Sequence, residues 1–428
     1  MINLYKFQKD ILEETKTQNK VAYYLDMGLG KTYVGSEKAI SLGDDILLIC
    51  QKSKINDWIE HFFNNYNNIN TCNLTEKDFY KNGGFENAER LKKEGCWKRS
   101  VFIINYELAF RRPQLLQLNN FTLMLDESSM IQNEKAKRSK FIKKLKFKNL
   151  ILLSGTPCSG KYDKLLSQIN LLGWNISEDL FYKQYVEFHY NLDNGFPLRI
   201  IDGYKNVDRL KLKLREHGCR FLKTNEVFDL PKQVFNKIKI NVTPEYTKFK
   251  KDRIITIDNN ELVGDTTLTK MLYERQLCGQ YNKNKLEALI DILNSTEDRI
   301  IIFYNFNEEL KEIKDICVKL EKSISIINGK DKDLTNYEEC ENSVTLIQYQ
   351  AGSMGLNLQK ANKMVYFTPP LSSELFEQSK KRIHRIGQNN SCFYYQLICR
   401  NSIEEKIYKL LNIRKDYTNK LFEEDEVD

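Results

Sequence analysis

Long apolar runs are missing from this chain. No stretch approaches the roughly 18 residues that a membrane-spanning helix needs. The opening Met1-Ile-Asn-Leu-Tyr-Lys is not followed by the apolar core of a signal peptide. A cytoplasmic protein, in a bacterium or the host of a virus, with no membrane contact, is therefore expected. Histidine is scarce, with four among 428 residues. The ten cysteines form no C-x-x-C pair and no histidine clusters near them, which disfavours a zinc module and a disulfide framework. A dominant charge is absent as well: a net charge of +8 is compatible with a polyanion partner without requiring one.

What is present is ordinary globular material, 41% hydrophobic and 29% charged. The length suits two or three domains, each with its own core. Within it, Asp26-Met-Gly-Leu-Gly-Lys-Thr32 follows a short apolar run, Val21 to Leu25, and precedes Tyr33 to Leu42, where apolar residues recur at helical spacing. Strand, Gly-rich turn, Lys-Thr and helix form the context of a phosphate-binding loop. Gly28 and Gly30 let backbone N–H groups close on phosphate oxygens at a helix N-terminus. Lys31 is placed to reach the phosphates, and the Thr32 hydroxyl to hold Mg²⁺. The strict pattern G-x-x-x-x-G-K-[ST] fails only at Leu25, where its first Gly belongs.

Leu4-Tyr-Lys-Phe-Gln8 opens a helix to about Thr17. Gln8, just upstream of the loop, can read an adenine edge through its amide; without the loop it would be a surface Gln. Further strand-length runs are Asp45 to Cys50, Val101 to Asn105, Phe121 to Asp126 and Leu150 to Leu153, with helical patterns between. Such alternation indicates an α/β domain with a parallel sheet covered on both faces. Lys31, Gln51, Asn105 and Asp126 all stand at the carboxyl ends of these strands, where function gathers in such sheets. Asp126-Glu127 leaves a buried strand as two adjacent carboxylates: either a solvated end, or one group for a metal and one to orient or deprotonate water. Asn133 to Lys148 carries eight basic residues and, as a helix, either tracks a phosphate backbone or is simply a solvated face.

From Cys158 to about Phe228 the pattern reads as a helical extension of the first domain. A second α/β half starts near Leu286, with strands Arg299 to Tyr304, Ser323 to Asn328, Val344 to Gln348 and Met364 to Phe367. It has no second Lys-Thr loop. It offers Gln378, Arg382 and Arg385 on one stretch, either a basic surface helix or arginines presented to a phosphoryl group. The expected divisions are 1–172, 173–230, 231–285 and 286–428.

With these pieces in register the chain resembles the Swi/Snf-type (sucrose non-fermenting) ATPases of helicase superfamily two over nearly its whole length. Phe7-Gln8 is similar to the family's adenine-reading motif and Asp26 to Thr32 to its motif I, missing first Gly included. Ile49-Cys-Gln-Lys-Ser with Trp58 resembles motif Ia, and Asn105-Tyr-Glu107 the motif that touches one DNA strand. Asp126-Glu127 takes the Walker B place and Ser154-Gly-Thr-Pro157 that of motif III. Arg220-Phe-Leu-Lys with Asp229-Leu-Pro231 resembles the bridge between the motor domains, and Ile302 to Phe306 motif IV. Gln350-Ala-Gly-Ser-Met-Gly-Leu-Asn-Leu358 is similar to motif V, and Gln378 to Gln388, ending Arg-Ile-His-Arg-Ile-Gly-Gln, to motif VI. Ser129 departs from the family, which usually has His there.

The resemblance implies two RecA-like domains with ATP and Mg²⁺ in the cleft between them, and transport along double-stranded DNA. It assigns ATP to Gln8, Met27, Gly28, Leu29, Gly30, Lys31, Thr32, Gly355 and Gln378, and the metal to Thr32 and Asp126. Lys31, Glu127, Arg382 and Arg385 are the implied catalytic residues. Gln51, Lys52, Asn105, Tyr106, Gly352 and Ser353 are the implied DNA contacts. A strand-separating DNA or RNA helicase is the enzymatic rival, although no wedge element is legible. A nucleic-acid-binding scaffold with a vestigial ATPase is the other.

Overall fold

The computed structural model describes residues 2–193, 196–351 and 356–422. Gly352, Ser353 and Gly355 lie outside them, as does the acidic end Glu423 to Asp428. The chain divides into two compact units, one of residues 1–227 together with 416–422 and one of residues 228–415.

Among the described residues the first unit has nine strands: β1 (Lys20–Leu25), β2 (Ile46–Cys50), β3 (Ile69–Asn73), β4 (Arg99–Asn105), β5 (Thr122–Asp126), β6 (Asn149–Leu153), β7 (Val186–Asp193), β8 (Phe196–Tyr204) and β9 (Cys219–Leu222). Seven form one sheet in the order β3-β4-β2-β5-β6-β1-β9, parallel throughout. The central strands β2 and β6 are buried at every position, as expected of a parallel sheet covered on both faces. Three helices matter for the site: α1 (Lys6–Glu14), α2 (Lys31–Leu42) and α3 (Ile55–Asn65). Because β1 and β2 are separated in the sheet by β6 and β5, α2 must cross them, and it packs on β1, β5 and β6. Gly35 permits that close approach, since a Cβ there would stand 2.8 Å from Leu153 Cδ1 and 3.0 Å from Met124 Cε.

The expected helical extension is a mixture. It contains helices Glu178–Tyr185 and Val207–Glu216, but also the antiparallel hairpin β7–β8 and the sheet strand β9. The basic segment expected as a helix from Asn133 to Lys148 forms only six helical residues, Lys137–Ile142. Its continuation turns away so that Lys146 can bridge Asn119, and Lys143 and Lys148 pair with Glu134 and Asp44.

The second unit adds β10 (Gln233–Ile240), the hairpin β11 (Ile254–Ile257) and β12 (Asn260–Val263), β13 (Ile300–Tyr304), β14 (Ser323–Ile327), β15 (Lys332–Asp333), β16 (Ser343–Gln348), β17 (Lys363–Tyr366) and β18 (Cys392–Cys399). Its seven-stranded sheet runs β10-β18-β17-β13-β16-β14-β15, parallel except for the two-residue β15. Segment 231–285 thus contributes a strand to this sheet. Ile300, Ile302 and Tyr304 face one core, and Ile301 and Phe303 the other, as the period of a strand requires. Among the described residues one buried triplet, Cys278, Cys399 and Glu404, has the spacing of metal ligands. The positive charge there is already supplied by Lys285, whose Nζ lies 2.6 and 2.8 Å from the two Glu404 oxygens. No helix among the described residues is long and apolar enough to cross a membrane.

Candidate active site

Three turns meet at the carboxyl edge of the first sheet. Asp26–Gly30 leaves β1, Ser154–Pro157 leaves β6, and Asp126–Glu127 ends β5, with β6 lying between the other two strands. Gly28 and Gly30 have φ of +87° and +73°, values that an L side chain adopts only with strain. Lys31 and Thr32 are therefore the first two residues of α2, where N–H groups have no carbonyl one turn back to bond. Lys31 Nζ donates to the carbonyls of Leu25 (3.0 Å) and Asp26 (3.4 Å).

Gln8 has both amide ends engaged. Nε2–H donates to the Leu29 carbonyl and Oε1 accepts from Tyr5 N–H, both at 2.9 Å. It braces the loop as well as lying beside it. A Cβ on Gly30 would run into Gln8 Nε2. Gly30→Ala therefore adds left-handed strain of about 1–2 kcal/mol and breaks this brace. Nucleotide affinity measured by calorimetry is expected to fall at least about tenfold; unchanged affinity would remove the loop from the binding site.

Asp126 is held by Trp58 of α3, whose indole Nε1–H donates to Oδ2 at 2.8 Å. Burial pushes the Asp126 carboxyl upward, while the Trp58 hydrogen bond and the Lys31 charge pull it back. Glu127 adopts φ 52°, ψ 60°, the left-handed region, at the start of a short 3₁₀ turn, Ser128–Ile131. Ser154 Oγ donates to its Oε2 at 3.5 Å. The turns are locked from beneath by Gln168, which accepts from Ser128 Oγ (2.7 Å) and Tyr24 OH (3.1 Å) and donates to the Pro157 carbonyl (2.7 Å). Asp26 points elsewhere, accepting from Thr224 Oγ1 at 2.9 Å, so the loop is tied to the segment after β9. Sequence reasoning named neither Gln168 nor Thr224.

The residues fit a nucleotide with a divalent metal. The Thr156 hydroxyl is buried without a hydrogen-bond partner, next to Gly155, whose Cβ position lies 3.3 Å from Lys31 Nζ. Lys31 rests on carbonyls rather than in an ion pair, so an incoming phosphate has no carboxylate to displace. The Thr32 hydroxyl and the Asp126 carboxylate are oxygen donors, the kind of ligand a hard divalent cation takes.

The expected DNA contacts separate. Gln51 is half-buried and Lys52 exposed at the end of β2. Asn105 and Tyr106 are 3% and 0% exposed, and the Tyr106 ring turns inward to bond the backbone of β5.

In the second unit, Arg382 and Arg385 do not share a helix face. The helix Ser373–Lys380 ends before them, and both lie in the turns that follow. They converge nevertheless, because each Nη1 donates to the Leu356 carbonyl at 3.5 Å, and Arg385 also bonds Asn357 Oδ1. Arg382 is buried and Arg385 half-buried. Gln378 is buried and donates to Glu374 Oε1 at 3.3 Å. His384 Nε2 lies 2.9 Å from the Pro231 carbonyl. The Gln388 amide closes the stretch on the carbonyls of Gln359, Ala361 and Ile383.

At the end of β13, Glu309 Oε2 accepts from the N–H groups of Asn305 and Phe306 and from Thr368 Oγ1, while Oε1 is buried without a partner. Burial pushes this carboxyl from 4.5 to about 7, against those hydrogen bonds and Lys285. A raised folded value means that the stabilisation is complete below about pH 4.5 and is lost as pH rises through 7. Urea melts should lose roughly 3 kcal/mol over that window, and Glu309→Gln should flatten the loss. A slope unchanged in the variant would contradict this.

Comparison with known proteins identifies the family. A model of the SNF2-related domain matches residues 7–283, and one of the helicase conserved C-terminal domain residues 284–387. Among curated relatives, the ISWI chromatin-remodeling complex ATPase ISW1 of Saccharomyces cerevisiae is 26% identical over 91% of this chain and 38% of its own length. The DNA repair and recombination protein RAD54 of the same yeast is 24% identical over 94% and 54%. The uncharacterized ATP-dependent helicase YqhH of Bacillus subtilis is 23% identical over 92% and 75%. A solved structure, the Sulfolobus solfataricus SWI2/SNF2 ATPase core in complex with dsDNA, is 22% identical with a TM-score of 0.46, covering 98% of this chain and 92% of that one. The chain thus spans only about two fifths of the length of the yeast remodelling ATPase. With one family model covering well over half of it and a second matching residues 284–387, the chain belongs to the SNF2-related family of helicase-type ATPases.

Proposed function

We propose that this chain is an ATP-driven motor that hydrolyses ATP when bound to DNA and translocates along the double strand, remodelling DNA or displacing bound protein. The observation that carries the reading is the meeting of the Lys31-Thr32 helix start with Asp126-Glu127 at one sheet edge. The backbone of Met27 to Gly30 would wrap the phosphates and Lys31 would neutralise them. Mg²⁺, held by Thr32 and Asp126, would offset phosphate charge. Glu127, aimed by its left-handed backbone and touched by Ser154, would take the proton of the attacking water. Arg382 and Arg385 would stabilise charge developing on the transferred group, with Gln378 and Gly355 completing the nucleotide contacts.

A DNA track is supported by family membership and by relatives named for chromatin remodelling and recombination. Exposed Lys52 and half-buried Gln51 are the candidates for phosphate contact, joined by Gly352 and Ser353. Phosphate contacts carry no sequence information, so neither a target sequence nor a recruiting protein is assigned. Strand separation is the second reading; among the described residues the hairpins β7–β8 and β11–β12 stand apart from the main sheets, and the longer, β7–β8, is its candidate wedge.

A triplex-displacement assay tests the proposal. Release of the third strand, dependent on ATP and lost in Glu127→Gln, is the expected result. Separation of a forked duplex without triplex release would favour the hairpin as a wedge, and neither activity would leave only binding.

A further inference from the structure

Tyr106 is completely buried, yet its hydroxyl has work that packing alone does not require. It donates to the Asp126 carbonyl at 2.9 Å and lies 3.4 Å from that of Glu127. One donor can reach two consecutive carbonyl oxygens only where they point the same way. Extended backbone points them in opposite directions; a helical turn of either hand aligns them. Residue 127 has the left-handed version, which a side chain other than Gly rarely adopts and which persists where its surroundings hold it.

The geometry is consistent with the sheet. Tyr106 starts the short helix Tyr106–Ala109 directly after β4 and reaches across the end of β2, which lies between β4 and β5, to the exit of β5. Burial keeps the phenol protonated far above neutral pH, so it remains a donor throughout the working range.

We infer that the Tyr106 hydroxyl is the positioning group that holds Glu127 in its left-handed conformation and so aims the carboxylate at the attacking water. The inference rests on the hydrolytic role proposed for Glu127. Tyr106 touches no reacting atom; it acts through Glu127.

Tyr106→Phe keeps the ring and removes only the hydroxyl. Steady-state kinetics on the full chain should show kcat lowered about 10- to 100-fold, the cost of a small misplacement of a catalytic group, with KM and ATP affinity unchanged. In a Glu127→Gln background the same substitution should cost nothing further, because both changes disable one group. Should Tyr106→Phe not fold, Tyr106→Phe with Glu127→Gly should, since Gly holds positive φ unaided. An active wild type with an equally active Tyr106→Phe overturns this inference alone. So does a full further loss in the Glu127→Gln background, or a double variant with Gly that also fails to fold. A wild type that does not hydrolyse ATP overturns both this inference and the functional reading beneath it.

Discussion

Glu127→Gln should leave a protein that binds ATP and retains DNA but hardly turns over. Gln has the volume and the backbone preferences of Glu, so the left-handed turn and the contact with Ser154 Oγ survive. What is lost is the ability to accept a proton from water. General-base removal of this kind costs about 10²–10⁴ in rate. The phosphate grip proposed above lies elsewhere, on Lys31 and the start of α2, so ATP affinity should stay within about twofold. Single-turnover hydrolysis and equilibrium binding on the same preparation separate the two. Wild-type turnover in the variant would refute the base assignment and leave Glu127 as a strained strand end.

Arg385→Ala carries the other large effect. An arginine offered to a transferring phosphoryl group is worth about 10³–10⁵ in rate, or roughly 4–7 kcal/mol. In the structure the Arg385 guanidinium rests on the Leu356 carbonyl and the Asn357 side chain, neither of which is an anion. It is therefore not committed to a structural ion pair there. Arg382 is the poorer probe, because its burial makes it part of the packing and its removal should lower stability as well. The expected result for Arg385→Ala is a collapse of kcat with ATP affinity nearly intact. An equal loss in both would mean that the residue binds ground state and transition state alike.

The parts of the fold legible in the sequence were those where one local rule dominates. Val21 to Leu25, Ile46 to Cys50 and Leu150 to Leu153 are apolar without interruption because they are covered on both faces. The Gly-x-Gly-Lys-Thr run announced its own turn and helix. Two further elements carry a local signal. Val186, Phe188, Tyr190 and Leu192 alternate with polar residues up to Asn194-Gly195, a hairpin signature. Cys392 to Cys399 is aromatic and β-branched enough to read as a strand.

Other features had no local signal. Asp26 meets Thr224 across 198 residues, and Gln168 joins three turns through hydrogen bonds that no spacing encodes. Tyr106 sits in a motif that suggests an outward contact, and only the register of β4 against β2 and β5 turns it inward. Arg382 and Arg385 suggested a shared helix face from their spacing. They converge instead because the chain turns after Lys380 and brings both to one carbonyl.

Duplex DNA should drive this ATPase. ATP hydrolysis should be measured alone and with duplex DNA, single-stranded DNA and RNA, using Glu127→Gln as the blank. Strong stimulation by duplex DNA, above that by single strands or RNA, is the result expected of a double-strand translocase. Stimulation confined to single strands or RNA, or no hydrolysis under any of these conditions, would contradict it.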